Sequence, residues 1–554
     1  MLVQNFVKTY ETGFRKNWEL PALSDFSTKE RLYYKDLARE IARVHILLKE
    51  AGITQGDKVA LVGKNNIPWC VVYLATFTYG AVIIPILQDF HPDNIQYIIN
   101  HSDAKLLFAE ESLFKQFNTE AIPQVKAALS TDTLDFACLY DKDNSLSAVV
   151  SSLEERMQTL YPEGYRKEDI RYAYVHNSEV VLINYTSGTM GASKGVMLTA
   201  NNLTGNIGYA HHLELLFPGQ DIISFLPLAH AYGAAFEFLF ALSEGCHVTL
   251  LGKKPSPQLL LQAFTEIKPT LIVCVPLIIE KIYKKAIQPK LEQSSIRLAL
   301  KLPIIRNLVY KKMRDGLIEA LGGNFYEVII GGAALNQEVE AFFHKIKFPF
   351  TVGYGMTECG PLISYDHYFD FVPASCGHVL DNIMEVRIDS EDPYNIVGEI
   401  QVRGENVMKG YYKNEEATQA AFTHDGWLRT GDLGTIDEKK HIFIRGRSKA
   451  MLLGPSGQNI YPEEIETKLS NMPYVAECLV VQRDKKLIAL VHPDYEQLDS
   501  DKVKHAKLSE IMKKNLTQLN NRLANYEKVA AIEIVSEEFE KTPKRSIKRY
   551  LYES

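Results

Sequence analysis

Cysteine is scarce in this chain of 554 residues: there are seven, at positions 70, 138, 246, 274, 359, 376 and 478. Their number is odd, their spacing is wide and no Cys-x-x-Cys occurs. That excludes a zinc ribbon and a disulfide framework, and points to reduced core thiols in the cytoplasm. An excess of positive charge is also missing. The net charge is −7, which argues against a general nucleic-acid binder, so no nucleic-acid partner is expected. Long apolar runs are absent as well. The longest stretch, 67–86, is interrupted by Pro68 and Gly80 and reads as a buried helix and strand, not a membrane span. The start, Met1-Leu-Val-Gln-Asn-Phe-Val-Lys8, lacks the basic flank and apolar centre of a signal peptide. No internal repeat and no low-complexity tract interrupts the chain. The composition that remains, 46% hydrophobic and 23% charged, is that of a soluble globular protein too long for a single core, with two to four domains expected.

The most informative stretch is Asn184-Tyr-Thr-Ser-Gly-Thr-Met-Gly-Ala-Ser-Lys-Gly-Val196, directly behind the apolar run 180–183. The run reads as a buried strand. Glycines let a backbone curl until several N–H groups point into one concavity, which suits a polyphosphate. Hydroxyls add neutral donors, and Lys194 adds a point charge. A Walker A loop is excluded, because two residues rather than four separate Gly188 from Gly191, and Gly195 follows the lysine.

Around this stretch, apolar segments alternate between helical and extended patterns. Helical spacing covers 28–52, 69–78 and 92–100, and strands are expected at 58–62, 81–85 and 105–109. Such alternation predicts a doubly wound α/β domain with parallel strands and binding loops at their carboxyl ends. Three further strand ends carry chemistry. Asp221-Ile-Ile-Ser-Phe-Leu-Pro227 leads to His230 and Gly233-Ala-Ala235. A histidine alone is usually structural, but small neighbours leave room for a ligand. Phe325 to Ala334 ends in the pair Gly331-Gly332, where a flat ring could stack on bare backbone or an ordinary tight turn could form. Thr351 to Glu358 offers an aromatic face at Tyr354, a hydroxyl at Thr357 and a hard oxygen ligand for Mg²⁺ at Glu358.

From about residue 376 the texture changes to short β segments, and Asp432 follows Trp427-Leu-Arg-Thr-Gly431 at an expected turn. An aspartate there can accept both hydroxyls of a ribose, or can simply cap the turn. Arg445-Gly-Arg-Ser-Lys449 reads as a boundary, and residues 450–554 as a compact α/β piece ending in a basic tail. The expected division is 1–448, with a β-rich part at 376–448, and 449–554. Residues 283–314 interleave cations with Ile, Leu and Val, as a solvated helical insertion would, or as a surface touching anionic lipid.

Taken together and in order, the motifs 185–196, 226–233, 331–335, 354–358, 430–432, 446–449 and 457–466 resemble the adenylate-forming superfamily, in particular acyl-CoA synthetases of the long-chain fatty-acid type. The resemblance covers nearly the whole chain. It implies a large N-terminal domain with doubly wound sheets plus a short β subdomain, and a small mobile C-terminal α/β domain. It also implies a two-step reaction with ATP, Mg²⁺ and coenzyme A. Carried over by motif, Thr186, Ser187, Gly188, Thr189 and Lys194 would hold the β- and γ-phosphates, and Thr186 and Glu358 the Mg²⁺. Gly331, Gly332, Ala333 and Tyr354 would frame adenine, in a segment continuing through Gly355 and Met356 to Thr357 near the α-phosphate. Asp432 and Arg447 would bind ribose, His230 would line the carboxylate site, and Lys449 would occupy the hinge.

One position departs from the pattern. The family usually ends in a sequence like Lys-Thr-Pro-x-x-Lys-Ile-x-Arg, whose second lysine stabilises charge during adenylation. Here Lys541-Thr-Pro-Lys-Arg-Ser-Ile-Lys-Arg549 places Ser546 there. Lys544, Arg545 and Lys548 are the neighbouring cations that could substitute. The acid is expected to be a long-chain fatty acid. The insertion at 283–314 is similar to that of enzymes acting on such acids, and more distantly related enzymes acting on amino acids keep an acid near the position of Tyr232. Phe236, Phe238, Leu239 and Phe240 could line a channel or simply fill the core. The alternatives are acyl transfer to a carrier-protein thiol, release of the adenylate itself, or a non-catalytic nucleotide- and lipid-binding relative. The expected location is the cytoplasm, with 283–314 in reach of the inner face of the membrane.

Overall fold

The computed structural model describes residues 2–186, 193–453, 459–484, 486–542 and 546–553. Its largest sheet has eight strands. In spatial order they are Gly410–Tyr411, Lys194–Thr199, Val180–Thr186, Val82–Ile86, Lys58–Val62, Ala104–Ala109, Ala127–Ser130 and Cys138–Asp141. The five strands from Val180–Thr186 to Ala127–Ser130 run parallel. The edges are antiparallel. The parallel strands are near-continuous apolar runs because both faces are covered. The helix Ile67–Tyr79 shows why: it is apolar all round and buried throughout except at Tyr79. Asn66 caps its start by accepting from the Trp69 amide, Pro68 sits in its first turn, and Gly80 ends it at φ 91°.

A second α/β layer is built from Asp221–Ser224, His247–Leu250, Pro21–Asp25 and Arg31–Tyr33, joined by a bridge between Ile222 and Leu271 to the parallel set Ile272–Cys274, Val328–Ile330 and Phe350–Val352. Two doubly wound sheets therefore share one hydrophobic core. The helix expected from residue 28 begins only at Tyr34, because Arg31–Tyr33 is drawn into edge pairing with Pro21–Ser24. Behind them lies a four-stranded antiparallel sheet of Met384–Asp389, Gly398–Gly404, Leu428–Ile436 and Ile442–Arg447.

After residue 450 the chain forms its own core. Val475–Arg483, Lys486–Pro493 and Val529–Ile534 make a three-stranded sheet. The helices Pro462–Ser470 and Leu508–Asn520 cover one face, burying Ile465, Leu469, Met512 and Leu519 with Val480 and Ala489. Phe539, Ile547 and Tyr552 cover the other, against Leu479, Val481 and Leu490. The basic stretch is helical, as Gln288–Glu292, Ser294–Ala299 and Pro303–Ala320. Among the described residues no helix is long and apolar enough to cross a membrane.

Candidate active site

The phosphate stretch is flanked by two paired strands. Strand Val180–Thr186 pairs antiparallel with Lys194–Thr199, and Thr186 lies opposite Lys194, the pair nearest the connecting residues. Gly195 is obligatory for this pairing: a Cβ would stand 2.9 Å from the Ile183 side chain and 3.0 Å from the Tyr185 ring. Ser187, Gly188 and Thr189 lie outside the described residues. Asn184 ties this strand pair to the next strand end, its amide donating to the Ala229 carbonyl at 2.9 Å. That contact fixes the backbone next to His230.

His230 is half-buried and opens the short turn Ala231–Gly233. The segment leading to it is held from beneath by Glu237. One carboxylate oxygen of Glu237 accepts from the Ser224 hydroxyl at 3.0 Å, the Phe225 amide at 3.1 Å and the Leu226 amide at 3.0 Å. Glu237 reaches back because Ala234–Leu239 is a π-helical turn, the local widening that often marks functional segments. It is fully buried, and burial outweighs its donors and pushes its pKa up to about 8.

Beside this turn lies an apolar cavity of about 60 Å³. Tyr232, Phe236 and Phe240 form one wall, Val273 and Ile329 another, and Tyr365 a third. Phe238 and Leu239, the other two candidates for a channel, are core. The Tyr232 hydroxyl donates to the Ile329 carbonyl at 3.2 Å, so the wall carries no charge. Gly331, Gly332, Tyr354 and Gly355 close one end of the cavity, so the apolar chamber runs into the segment expected to frame adenine. Bare backbone is required there: a Cβ on Gly331 would meet the Tyr232 ring at 2.9 Å, and one on Gly355 the Pro361 carbonyl at 2.2 Å. Gly332 has φ 84°, and Ala333 is exposed beside it. Met356 is half-buried and leads into the turn Thr357–Cys359.

Asp432, expected at a turn, lies instead inside strand Leu428–Ile436, opposite Arg447. It is buried, accepts from the Tyr354 hydroxyl at 2.7 Å and pairs with the Arg447 guanidinium at 2.7 Å. Burial raises its pKa against the pull of Arg447. Three residues from three elements thus make one polar cluster, the candidate ribose site.

Glu358 accepts from the Tyr411 hydroxyl at 2.8 Å, and the ring of Tyr411 lies under the Lys194 ammonium, 4.9 Å from its centroid. Tyr411 is thus the contact shared by the acid and the cation of the site. No motif singled it out; its pairing across the sheet edge was the missing signal. A carboxylate at Glu358 and a hydroxyl at Thr186 are hard oxygen donors. They suit Mg²⁺, which takes one or two protein ligands and completes its shell with phosphates and water. Among the described residues no cluster of three His, Cys, Asp or Glu forms a self-contained metal cage.

The tail lies elsewhere. Lys449 is exposed in the turn Ser448–Ala450. The helix Pro462–Ser470 and the turn after it meet the large domain. Glu464 stands 3.8 Å from Arg445, Asn471 accepts from Asn336 at 2.6 Å, and the Ser470 carbonyl accepts from Lys284 at 3.0 Å. Ser546 is exposed on the opposite side of the small sheet, its carbonyl accepting from the Thr542 amide at 2.8 Å, and Lys548 pairs with Glu540 at 3.1 Å. Arg549 clips this tail to Glu466. Lys544 and Arg545 lie outside the described residues. In this arrangement Ser546 and Lys548 stay on the far side of the small sheet from the residues that meet the large domain.

Residues 11–412 match the family of AMP-binding enzymes, and residues 450–554 the AMP-binding enzyme C-terminal domain. The chain is similar to a long-chain-fatty-acid–CoA ligase of Mycobacterium bovis, with 28% identity over 85% of this chain and 79% of the relative. It is also similar to a 4-coumarate–CoA ligase of Pinus taeda, with 28% identity over 83% of this chain and 80% of the relative. Its fold matches that of the o-succinylbenzoate–coenzyme A synthetase of Bacillus subtilis solved with ATP and magnesium ion, with a TM-score of 0.74 and 20% identity over 99% and 98% of the two chains. The chain belongs to the AMP-binding enzymes, as an adenylate-forming acid–thiol ligase that works with ATP, Mg²⁺ and coenzyme A.

Proposed function

We propose that the acid is a long-chain fatty acid, activated as its acyl-adenylate and passed to coenzyme A with release of AMP and pyrophosphate. The apolar cavity that runs from Phe236 and Phe240 to the Gly331-Gly332 backbone carries this reading. Its lining is apolar: each methylene buried against it is worth about 0.8 kcal/mol, so it favours an alkyl chain, whereas a small polar acid gains little.

In the first step a carboxylate oxygen of the fatty acid forms a bond to the α-phosphorus of ATP, and the bridging oxygen departs with pyrophosphate. Thr186, Ser187, Gly188, Thr189 and Lys194 hold the β- and γ-phosphates. Thr186 and Glu358 would hold Mg²⁺, which would supply positive charge to the departing pyrophosphate. Asp432 and Arg447 fix the ribose, Gly331, Gly332, Ala333, Tyr354, Gly355 and Met356 frame the base, and Thr357 lies by the α-phosphate. His230 lines the carboxylate site, held in place through Asn184 and Glu237. These residues act by position and charge, which is how proteins chiefly accelerate phosphoryl transfer. In the second step the sulfur of coenzyme A attacks the acyl carbonyl carbon and AMP leaves. Lys449 is the hinge about which the small domain turns between the steps. The enzyme works in the cytoplasm, within reach of the inner membrane face.

The test is a panel of acids from acetate to stearate, with 4-coumarate included, assayed for AMP release with and without coenzyme A. Turnover should rise steeply with chain length and depend on coenzyme A. Equal turnover of acetate and palmitate would refute the substrate. AMP release only with a carrier protein, or adenylate release without any thiol, would replace the second step.

A further inference from the structure

Between helix Pro276–Ile282 and strand Val328–Ile330 the chain leaves the large domain on the helices Gln288–Glu292, Ser294–Ala299 and Pro303–Ala320. The end of this excursion is anchored by buried Leu317 and Leu321. Its middle is not. Leu298 is 65% exposed, Leu302 50%, Ile304 79%, Ile305 41% and Leu308 62%. Five of the twelve exposed leucines and isoleucines among the described residues thus fall within eleven consecutive positions. Scattered exposed apolar residues are ordinary, but a contiguous cluster marks a surface with a partner.

The charges around the cluster say which partner. Residues 293–314 contain Arg297, Lys301, Arg306, Lys311, Lys312 and Arg314 and no acid, in a chain whose net charge is −7. All but Arg314, which is partly buried and paired with Asp315, are exposed. Long cations flanking apolar side chains on short surface helices fit the lipid interface, where ammonium and guanidinium groups reach phosphate headgroups and Leu and Ile enter the acyl boundary. A nucleic acid would use the cations and leave five aliphatic side chains in water. We propose that residues 294–314 are a docking surface for an anionic lipid bilayer. This surface is independent of the catalytic reading and would stand if the acid proved short.

The test is flotation of the full-length protein with phosphatidylcholine vesicles containing or lacking 30% phosphatidylglycerol, at 0.1 and 0.5 M NaCl. Binding should require the anionic lipid and fall at least tenfold at high salt. The double variant Ile304→Glu/Leu308→Glu should lose at least tenfold in partitioning, and Lys301→Glu/Arg306→Glu should lose the preference for anionic lipid. Both should keep wild-type AMP formation from a water-soluble acid, since none of the four side chains belongs to the site. Absence of wild-type binding, or an Ile304→Glu/Leu308→Glu variant that floats as well as wild type, would overturn the proposal. So would light scattering showing that these substitutions dissociate an oligomer while vesicle binding is absent.

A second observation stands apart from the first. Tyr411 touches both charged members of the phosphate site, and its own backbone is held from two sides, by pairing with Val196 and by donation to the Thr418 hydroxyl at 2.9 Å. We infer that Tyr411 is a positioning residue that aims Glu358 at the metal and Lys194 at the phosphates; this rests on the roles proposed for those two. Mn²⁺ binding, read by electron paramagnetic resonance with a non-hydrolysable ATP analogue, separates the two ideas. Wild type that binds no Mn²⁺ with nucleotide would refute the site reading itself. If wild type binds, Tyr411→Phe should bind Mn²⁺ about tenfold more weakly with little change in nucleotide affinity, and Tyr411→Leu should weaken both. Equal Mn²⁺ affinity in wild type and Tyr411→Phe would refute the positioning role.

Discussion

Replacing Glu237 by glutamine should change how stability depends on pH. The carboxyl is fully buried, and its pKa rises from the ordinary 4.5 to about 8 in the folded protein. The sign follows from proton counts. Between those values the folded state holds a proton that the unfolded state has released, so the group favours folding at low pH and that contribution is lost as pH rises toward 8. At 1.36 kcal/mol per unit, the whole span amounts to roughly 5 kcal/mol. Glutamine keeps a carbonyl oxygen for Ser224, Phe225 and Leu226 but carries no titrating proton. In the difference between wild type and Glu237→Gln, every other group cancels, including Glu327, whose pKa burial raises to about 7.

The measurement is the melting temperature of both proteins at half-unit steps from pH 5 to 8.5. At about 2.1 cal/mol/K per residue, a cooperative unit of some 440 residues shifts by about 1 °C per kcal/mol. Wild type should therefore lose on the order of 4 °C relative to the variant across this range. Glu237→Leu separates titration from hydrogen bonding: it strands two buried amides and should be destabilised at every pH. A flat wild-type-minus-glutamine difference across pH 5 to 8 would refute the reasoning, because it would mean that the three donors hold the group ionised throughout.

Asp432→Asn should raise the KM for ATP at least tenfold and lower kcat less, since it removes the charge paired with Arg447 at the proposed ribose site; an unchanged KM would take Asp432 out of the proposed nucleotide site. Gly331→Ala should push the Tyr232 ring into the cavity and cut kcat/KM for palmitate more than for butyrate at saturating ATP, a contrast that initial rates across chain lengths will show. Ser546→Lys should speed acid-dependent pyrophosphate exchange while leaving thioester formation from added acyl-adenylate unchanged, and equal exchange rates would show that another cation already serves.

Much of the large domain was legible because burial on both faces writes itself into composition. Lys58–Val62 and Ala104–Ala109 could hardly be anything but strands. What the sequence concealed were contacts whose partners lie far apart along the chain. Arg31–Tyr33 has no strand signature of its own and becomes one only because Pro21–Ser24 lies beside it. Tyr354, Asp432 and Arg447 were legible as separate members of motifs, but not as one bonded cluster, and Tyr411 gained its place only through the sheet edge. The orientation of the small domain is hidden for a different reason. Among the described residues no hydrophobic cluster spans it and the large domain. What joins them includes polar contacts such as Arg445–Glu464 and Arg522–Glu338, which at exposed sites contribute little each. An interface this light cannot be written strongly into the chain. It is also what the hinge proposed at Lys449 requires, because a domain that must turn between two steps has to leave either position at small cost.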